Sequence, residues 1–327
     1  MSPAVAFRLL VLLAPAAISA CQQPAPPRAP GPARHAQQWE THVLVQHPLV
    51  GRIFDVGSGK PIDATALLER AGSSHFVLLG EKHDNPDHHR LQAFVLQSMI
   101  DAGRRPTVGF EMLESGQQDT VNQVQKAHPG DPDAIRPAVG WDKSGWPDWP
   151  LYRPVFAALS EARLPILATN VPKAQVRLIV RYGAGAFVDG QMKLWGLDQP
   201  LPAEQLAALK GELRDSHCGM LPEKVVDAMV LAQRARDAGM ADRMTNADGS
   251  HGVVLVAGAG HVRRDRGVPA YLALRRPEST RISIAFVEVH EGGNDPKDYD
   301  SGADLVWFTP RVDSDDPCAK FAEQMRR

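Results

Sequence analysis

The segment His75–Leu91, HFVLLGEKHDNPDHHRL, determines how the rest of the chain is interpreted. Its apolar run Phe76–Leu79 ends at Gly80, which is the pattern of a buried strand followed by a tight turn. Beyond the turn, apolar residues recur at helical spacing from Leu91 to Ala102. The acids and histidines in between are therefore predicted to lie at the carboxyl end of a strand, where open α/β sheets bind ligands.

Further apolar strands alternate with helical segments along the chain, and this alternation predicts a mostly parallel sheet with helices on both faces. We expect a single α/β domain over residues 40–312, followed by a C-terminal tail over 313–327. The late strands are close together in sequence, and this spacing is compatible with an antiparallel strand at one edge of the sheet. The later predicted strands are Thr107–Met112, Leu164–Asn170, Val253–His261 (the strand together with its terminal turn), Ile282–Val289 and Leu305–Phe308.

The 327 residues carry a net charge of -2, which gives no general attraction to nucleic acid. No internal apolar run is long enough to span a bilayer.

The N-terminus has the pattern of a targeting segment. Arg8 is the only charge before the apolar run Leu9–Ile18, and Ile18-Ser19-Ala20-Cys21 follows. This resembles a bacterial lipoprotein signal over residues 1–20, with Cys21 as the lipidated residue; the alternative is an ordinary secretory signal.

Residues 21–39 are rich in proline and contain no acidic residue, so they are predicted to form an extended tether. Gln22 follows the cysteine and favours outer-membrane sorting. The expected location is the bacterial cell envelope, with the folded domain periplasmic or surface-exposed.

Two cysteines remain in the mature chain, Cys218 and Cys318. An exported compartment permits a disulfide, but two cysteines far apart in sequence do not establish one. Cys218, which lies beside His217, is also a candidate nucleophile. There is no CxxC spacing, so neither a structural zinc site nor covalent haem attachment is indicated.

Functional groups follow three of the predicted strands: Glu81 and His83, then Glu111, then His261. A parallel sheet brings such strand ends together at one edge. Two carboxylates and two imidazoles there suit a divalent metal, Zn, Mn or Co, or general acid–base work on water.

Each of these residues also has a structural interpretation. Glu81 is a candidate cap for the following helix. His261 and its basic neighbours are candidates for the start of a helix that salt bridges stabilise. His88 and His89 begin a helix and are expected to be solvated rather than ligating.

The segment Gly140–Pro154, GWDKSGWPDWPLYRP, holds three tryptophans and Tyr152. Such a loop is either pinned to the core by its aromatic rings or forms a wall over an apolar ligand. GAGHV lacks the spacing of a nucleotide-binding fingerprint, and no GxSxG nucleophile elbow is present.

An ordered series of motifs resembles the ChaN family, over residues 65 to 290: LLGEKHDNPDHH, GFEML, WPDWPLYRP, ILATN, HCGMLP and VAGAGHVRRDRGVP. Members of that family are described as haem-binding lipoproteins linked to iron uptake. The family is related to the Tiki proteases, TraB-like proteins and erythromycin esterases. The Gly-x-x-His turn of that superfamily is Gly80-Glu81-Lys82-His83 here.

The resemblance implies haem as the cofactor, since haem iron takes His or Tyr as an axial ligand. Of the four tyrosines, Tyr152 and Tyr271 lie nearest the motifs, whereas Tyr182 and Tyr299 lie farther away. The expected haem-binding residues are Tyr152, Tyr271, His83, His261, Trp146, Trp149 and, for the propionates, Arg263 and Arg264.

The predicted function is therefore a membrane-anchored lipoprotein that binds haem or iron, with a homodimer compatible with the sequence and no nucleic acid involved. The alternative is a metal-dependent or acid–base hydrolase that uses Glu81, His83, Glu111 and His261. A third interpretation is a binding module whose acids and histidines only buttress the loops.

Overall fold

The computed structural model describes residues 38–315 except residue 248, together with Cys318. The predicted signal peptide, Cys21, nearly all of the tether and most of the C-terminal tail lie outside the described residues.

A sheet of eight strands runs through the described part of the chain, in the order β2-β1-β8-β7-β3-β6-β4-β5. The six strands from β8 to β5 are parallel to their neighbours. The fold is therefore a single α/β domain with a mostly parallel sheet. The strands are β1 (Ile53–Asp55), β2 (Lys60–Ile62), β3 (Phe76–Glu81), β4 (Thr107–Glu114), β5 (Ile166–Asn170), β6 (Val253–Gly258), β7 (Arg281–Glu288) and β8 (Leu305–Thr309).

The sheet has an antiparallel edge, but it is built from β1 and β2 and not from the late strands. β1 pairs antiparallel with both β2 and β8, whereas the late strands β7 and β8 are parallel. The short sequence between β7 and β8 therefore forms a crossover and not a hairpin.

Ten α-helices lie within the described residues, and they cover both faces of the sheet. They are α1 (Ala64–Ser73), α2 (Pro86–Asp101), α3 (Gln118–Ala127), α4 (Ile135–Ala138), α5 (Trp149–Glu161), α6 (Lys173–Tyr182), α7 (Gln191–Leu194), α8 (Ala203–Asp215), α9 (Glu223–Asn246) and α10 (Val268–Arg275). In the described part of the chain, none of these helices is long and apolar enough to cross a membrane.

The central strand β3 supplies apolar side chains to both faces because successive residues of a strand point in opposite directions. Val77 and Leu79 pack with α2 and α5, whereas Phe76 and Leu78 pack with α9 and α10. All six residues of β3 are buried. This double burial explains why the sequence reads as a continuous apolar run.

Helix α2 begins directly after the polar turn. Its N-cap is Asn85, whose side chain accepts hydrogen bonds from the backbone N–H groups of Asp87 and His88, and Pro86 follows at the first helical position. Glu81 is therefore not the capping residue. The prediction that His88 and His89 are solvated is wrong: both are fully buried.

Cys218 and Cys318 form a disulfide whose Cα atoms are 5.4 Å apart. The bond closes a loop between residues separated by 100 positions, which includes β6, β7 and β8. A cross-link over such a loop restricts the unfolded chain. Cys218 is thus a structural residue and not a free nucleophile.

Candidate functional site

The carboxylate of Glu81, at the carboxyl end of β3, is completely buried and faces three donors. The Tyr152 hydroxyl donates to Oε1 at 2.7 Å, and Nδ1 of His83 lies 2.9 Å from the same oxygen. Nδ1 of His89 lies 3.0 Å from Oε2. Burial alone would raise the pKa of Glu81, but the charge of His89 and the hydrogen bond from His83 lower it to about 2. Glu81 is therefore ionised.

The ring of His89 is an imidazolium, as its surroundings require. Nε2 lies 3.0 Å from the carbonyl oxygen of His83, which is only an acceptor. Nδ1 faces Glu81 and the amide oxygen of Gln92, whose own NH₂ group donates to the Leu79 carbonyl. Both ring nitrogens must donate, and although burial opposes the charge, Glu81 raises the pKa of His89.

The neighbouring His88 is neutral. Its Nδ1 accepts a hydrogen bond from the Lys82 backbone N–H at 2.8 Å, and Nε2 lies 2.9 Å from the Thr309 hydroxyl. Burial and the adjacent charge of His89 lower the pKa of His88 to about 3. Two consecutive buried histidines thus hold different charge states.

Tyr152 stays protonated because it is buried and donates to a carboxylate. Its ring packs 4.1 Å from the His89 ring and 5.0 Å from that of Trp141. Burial and the charge of Glu81 raise the pKa of the Tyr152 hydroxyl far above its usual value. Tyr152 and Trp149 belong to the first turn of α5 and not to a loop.

His83 is the member of this group that reaches the surface, with 35% of its side chain exposed. Its ring contacts Trp146 edge-on at 5.0 Å. Its Nε2 faces Gly258, where an added Cβ would lie only 3.0 Å from that nitrogen, so a residue with a side chain would displace the ring. Burial opposes protonation, but the hydrogen bond to Glu81 and the charge of Glu111 raise the pKa of His83.

A second buried carboxylate, Glu111, lies beside the first group. Its Oε2 accepts a hydrogen bond from the Gly258 backbone N–H at 2.7 Å. Its Oε1 pairs with Arg236 and lies 3.3 Å from Nε2 of His261. Burial would raise the pKa of Glu111, but His261 and Arg236 hold it well below its usual range.

His261 links Glu111 to a third carboxylate, Asp237 on α9. Nδ1 of His261 lies 2.6 Å from Oδ1 of Asp237. Burial opposes the charged ring, but Glu111 and Asp237 raise the pKa of His261 to about 9. Burial also raises the pKa of Asp237 itself. At neutral pH the ring is charged and donates on both sides.

The structure therefore brings the predicted residues Glu81, His83, Glu111 and His261 to one edge of the sheet. The metal site predicted for them is not supported. Among the described residues, no group of three His, Cys, Asp or Glu side chains is placed to hold a metal ion. The physical reason is that both carboxylates already accept hydrogen bonds from protein donors, which a metal would have to displace.

Three members of this cluster do not belong to the set predicted from the sequence: His89, Arg236 and Asp237. The sequence does hold a signal for the last two, because Gln233, Arg236 and Asp237 share one face of a helix at spacings of three and four residues. Three polar residues at helical spacing on a buried helix indicate a polar partner opposite them.

The other residues predicted to bind a cofactor make polar contacts elsewhere. Arg263 is buried and pairs with Asp265 and Asp300, and Arg264 pairs with Asp304. These arginines do not carry free cationic groups at the site.

The two remaining aromatic residues of that prediction are likewise engaged. The Tyr271 hydroxyl accepts a hydrogen bond from Arg234, and Nε1 of Trp149 donates to Asp133. Trp141 and Trp149 are buried, so the aromatic segment is pinned to the core, and Trp146 alone of its tryptophans contacts His83.

The sequence profile of one protein family, described as "Haem-binding uptake, Tiki superfamily, ChaN", matches residues 67–272. The match covers more than half of the chain, so this protein belongs to that family. No curated protein sequence matches the chain.

Among solved structures, the fold is similar to one titled "Cofacial heme binding to ChaN of Campylobacter jejuni", with a TM-score of 0.62 and 22% identity. That alignment covers 78% of this chain and 95% of the other. The type III effector HopBA1 aligns with a TM-score of 0.41 and 14% identity, over 75% of this chain and 91% of the effector. The first of these similarities establishes the fold; the second is too distant to add to it.

We predict a specific pH dependence of stability from His261. Its pKa is raised from 6.5 to about 9, so its stabilising contribution is complete below pH 6.5 and is lost as the pH rises through 9. The free energy of unfolding in urea should therefore fall over that interval. In His261→Gln the fall should be smaller, because the titrating ring is absent. Equal pH profiles for the two proteins would contradict the assigned charge state.

Proposed function

We propose that this protein binds haem and takes part in iron uptake while it is anchored to a membrane. Membership of the haem-binding uptake family is the observation that carries the proposal. The structure titled for cofacial haem binding to ChaN of Campylobacter jejuni supports it through the shared fold.

A protein that binds haem offers an apolar surface, an axial donor for iron and cations for the propionates. The residues predicted at the sheet edge do not fit these requirements. Tyr152 is buried and donates its proton to Glu81, and His261 donates to two carboxylates. The His83 ring packs against Gly258 and Trp146. We therefore assign the haem no axial ligand within this edge cluster.

We predict that hemin titrated into the full chain in detergent gives a saturable shift of the Soret absorbance. The family assignment is the reason, and absorbance spectroscopy with a parallel titration of a protein of similar size and charge is the measurement. Absorbance that rises linearly, as it does in the control protein, would remove the haem proposal.

Anchoring is proposed from Cys21, which closes the apolar N-terminal run. Cys21→Ser should move the protein from the membrane fraction to the soluble fraction, because the residue that carries the lipid is gone. The matched control Gln23→Ala keeps the cysteine and should stay with the membrane. Attachment of Cys21→Ser as complete as that of the control would show that another element holds the protein.

Acid–base hydrolysis is the second candidate function, and the Asp237–His261–Glu111 chain is the observation that favours it. Asp237 and Glu111 hold the His261 ring in its charged form, which places a fixed positive charge near His83. His83 is partly exposed, and Glu81 orients it through Nδ1. A group held in this way is suited to general acid–base catalysis.

In this candidate reaction, His83 removes a proton from water as the water oxygen bonds to an ester carbonyl carbon. The positive charge of the His261 ring stabilises the negative charge that develops on the carbonyl oxygen. The bond to the leaving alcohol then breaks, and His83 returns the proton to that alcohol. No metal takes part in these steps, which is consistent with the carboxylates being occupied by protein donors.

If the protein is a hydrolase, His83→Ala should lower the turnover of an ester with a coloured leaving group by about 10²–10⁴-fold, the usual contribution of a general base. A chelator should leave the rate unchanged. The exposed His128 lies far from the cluster in sequence, and His128→Ala provides the control. An absence of turnover above the His83→Ala level would exclude this candidate.

A further inference from the structure

Exposed apolar side chains are concentrated in helices α6, α7 and α10 and in the chain between the first two. Of the seven large hydrophobic residues exposed in the described part of the chain, four lie between residues 178 and 194 and a fifth lies in α10. Scattered exposed residues need no explanation, but a local concentration marks an interaction surface. The exposed fractions are 44% for Leu178, 56% for Tyr182, 73% for Val188, 69% for Leu194 and 68% for Leu274.

Helix α6 and the chain that follows it hold three of these residues together. Leu178 and Tyr182 are four residues apart and therefore share the exposed side of the helix. The side-chain amide of Gln175, near the start of α6, donates to the Ala186 carbonyl at 2.7 Å. This contact folds the chain back along the helix and brings Val188 close to its exposed side.

Helix α10 lies beside α7 and extends the apolar area. The Arg275 guanidinium donates to the Leu194 carbonyl at 3.4 Å. A Cβ added to Gly196, just beyond α7, would lie 3.3 Å from Cδ1 of Leu274. Leu194 and Leu274 are therefore neighbours. We use the name α6–α10 surface for Leu178, Tyr182, Val188, Leu194 and Leu274.

The same segments carry a local excess of positive charge. Residues 171–197 and 268–276 hold six cations and one acid, Asp189, which gives these segments a net charge of +5, whereas the whole chain has a net charge of -2. The cations are Lys173, Arg177, Arg181, Lys193, Arg275 and Arg276.

Two of these cations lie directly beside the exposed apolar groups. Arg177 and Arg181 are one helical turn apart on α6, next to Leu178 and Tyr182, and both are exposed. The Arg181 guanidinium lies 5.2 Å from the centre of the Tyr182 ring. Within residues that the structure describes, neither arginine pairs with a carboxylate. Their charges are available to an outside anion.

Exposed aliphatic groups beside unpaired basic residues match an anionic lipid surface. Apolar side chains enter the boundary between headgroups and acyl chains, while Lys and Arg attract the lipid phosphates. The cores of protein–protein interfaces differ, because they are depleted in charged residues.

The predicted tether is long enough for this face to reach the membrane. Sixteen residues, 22–37, separate Cys21 from Gln38, where the described chain begins. Fully extended at about 3.1 Å per residue, they span about 50 Å. A compact domain of this size has a radius of gyration of about 19 Å, so the tether lets any face turn towards the lipid. A lipid at Cys21 therefore does not by itself select a face.

We propose that the α6–α10 surface docks on the anionic membrane to which the chain is anchored. Val188, Leu194 and Leu274 enter the apolar boundary, and Arg177 and Arg181 pair with lipid phosphates. The inference rests on the proposed anchoring and goes beyond it, because it fixes the orientation of the domain. Helices α6 and α10 face the lipid, and the helices on the other face of the sheet stay in solution.

The first test locates the surface on a bilayer. A thiol-reactive fluorophore is attached to Leu194→Cys, whose thiol is the only free one, since Cys218 and Cys318 are cross-linked and Cys21 is assigned to the lipid. In vesicles of phosphatidylcholine and phosphatidylglycerol, phospholipids with brominated acyl chains should quench the label, because it lies among them. Absence of quenching would overturn the proposal.

The matched control for this label is His128→Cys. His128 is exposed just after α3, and α3 packs on the opposite face of the sheet from α6 and α10. The brominated lipids should leave a label at this position unquenched. Equal quenching at the two positions would mean that no single face docks, and this result would also overturn the proposal.

The second test removes the cations beside the apolar groups. Arg177→Gln/Arg181→Gln in the labelled protein should lower the docking equilibrium by about 20–30-fold, because each basic residue near an anionic surface contributes about fivefold. Quenching should likewise fall when phosphatidylglycerol is omitted or the salt concentration is raised. Circular dichroism spectra matching those of the wild type exclude unfolding as the cause.

A second double variant controls for net charge. Arg136→Gln/Arg153→Gln removes two exposed cations from helices on the other face of the sheet, so the change in net charge is the same. Docking should be unchanged in this variant. A loss as large as that of the α6 variant would show that overall charge and not the α6–α10 surface governs the interaction.

The third test removes apolar area and leaves the charges in place. Val188→Ser/Leu274→Ser should weaken docking by at least about tenfold, since both side chains are largely exposed and would be buried in lipid. If instead this variant converts a dimer into a monomer in sedimentation experiments, and the label at Leu194→Cys is not quenched, the surface joins two copies of the chain and the proposal is overturned.

Docking and anchoring fail in distinguishable ways. A protein that does not float with uncharged vesicles lacks the anchor, and the anchoring proposal fails. Quenching of the Leu194→Cys label on addition of anionic vesicles still tests docking in that case, because it needs contact and not the lipid at Cys21. A protein that floats with the vesicles while its label stays unquenched is anchored but not docked.

Discussion

The buried carboxylate of Glu81 is the interaction on which the organisation of the site depends. An unpaired charge at this depth would be destabilising by several kcal/mol, so the fold must supply donors to it. Three separate parts of the chain do so: the turn after β3 through His83, α2 through His89, and α5 through Tyr152. Each donor is held in turn, since His89 also donates to the His83 carbonyl and contacts Gln92. The position of α5 against α2 is thus tied to the end of the central strand.

The same requirement explains the second half of the cluster. Glu111 receives the Gly258 N–H, Arg236 and His261, and the charge that His261 brings is balanced by Asp237.

The cluster as a whole holds three carboxylates and three cations, Arg236, His89 and His261. The protonation of His83 therefore sets the net charge at this edge of the sheet. Because His83 is also the exposed member, it is the residue through which an outside molecule would sense or use this network.

The strands, their parallel order and the convergence of Glu81, His83, Glu111 and His261 follow from the sequence because they depend on local signals. An apolar run that ends in an acid fixes both a strand and the edge to which the acid belongs.

The charge states of His88 and His89 do not follow from local signals. They are consecutive residues with the same side chain, yet one is neutral and the other charged, because Lys82 presents a donor to the first and Glu81 an acceptor to the second. The spacing of the late strands predicts an antiparallel edge, but spacing does not reveal that β1 lies beside β8 with β2 outside it. The ion pairs of Arg263 and Arg264 do not follow from the sequence either, because sequence shows a cation and not the carboxylate that pairs with it.

The arginines that the structure describes differ in whether a carboxylate pairs with them. At the sheet edge, Arg236 is held by Glu111 and Asn170, so its charge is used to order the protein itself. On α6, the two arginines are spaced by one helical turn and face solvent beside exposed aliphatic groups. A buried ionic network requires fixed partners and therefore resists the entry of a large anionic ligand, whereas an exposed helix with unpaired cations loses few internal contacts when such a ligand binds. A large anionic ligand would therefore disturb least where the arginines have no carboxylate partner, because the charge of Arg236 at the strand ends is already used to order the protein.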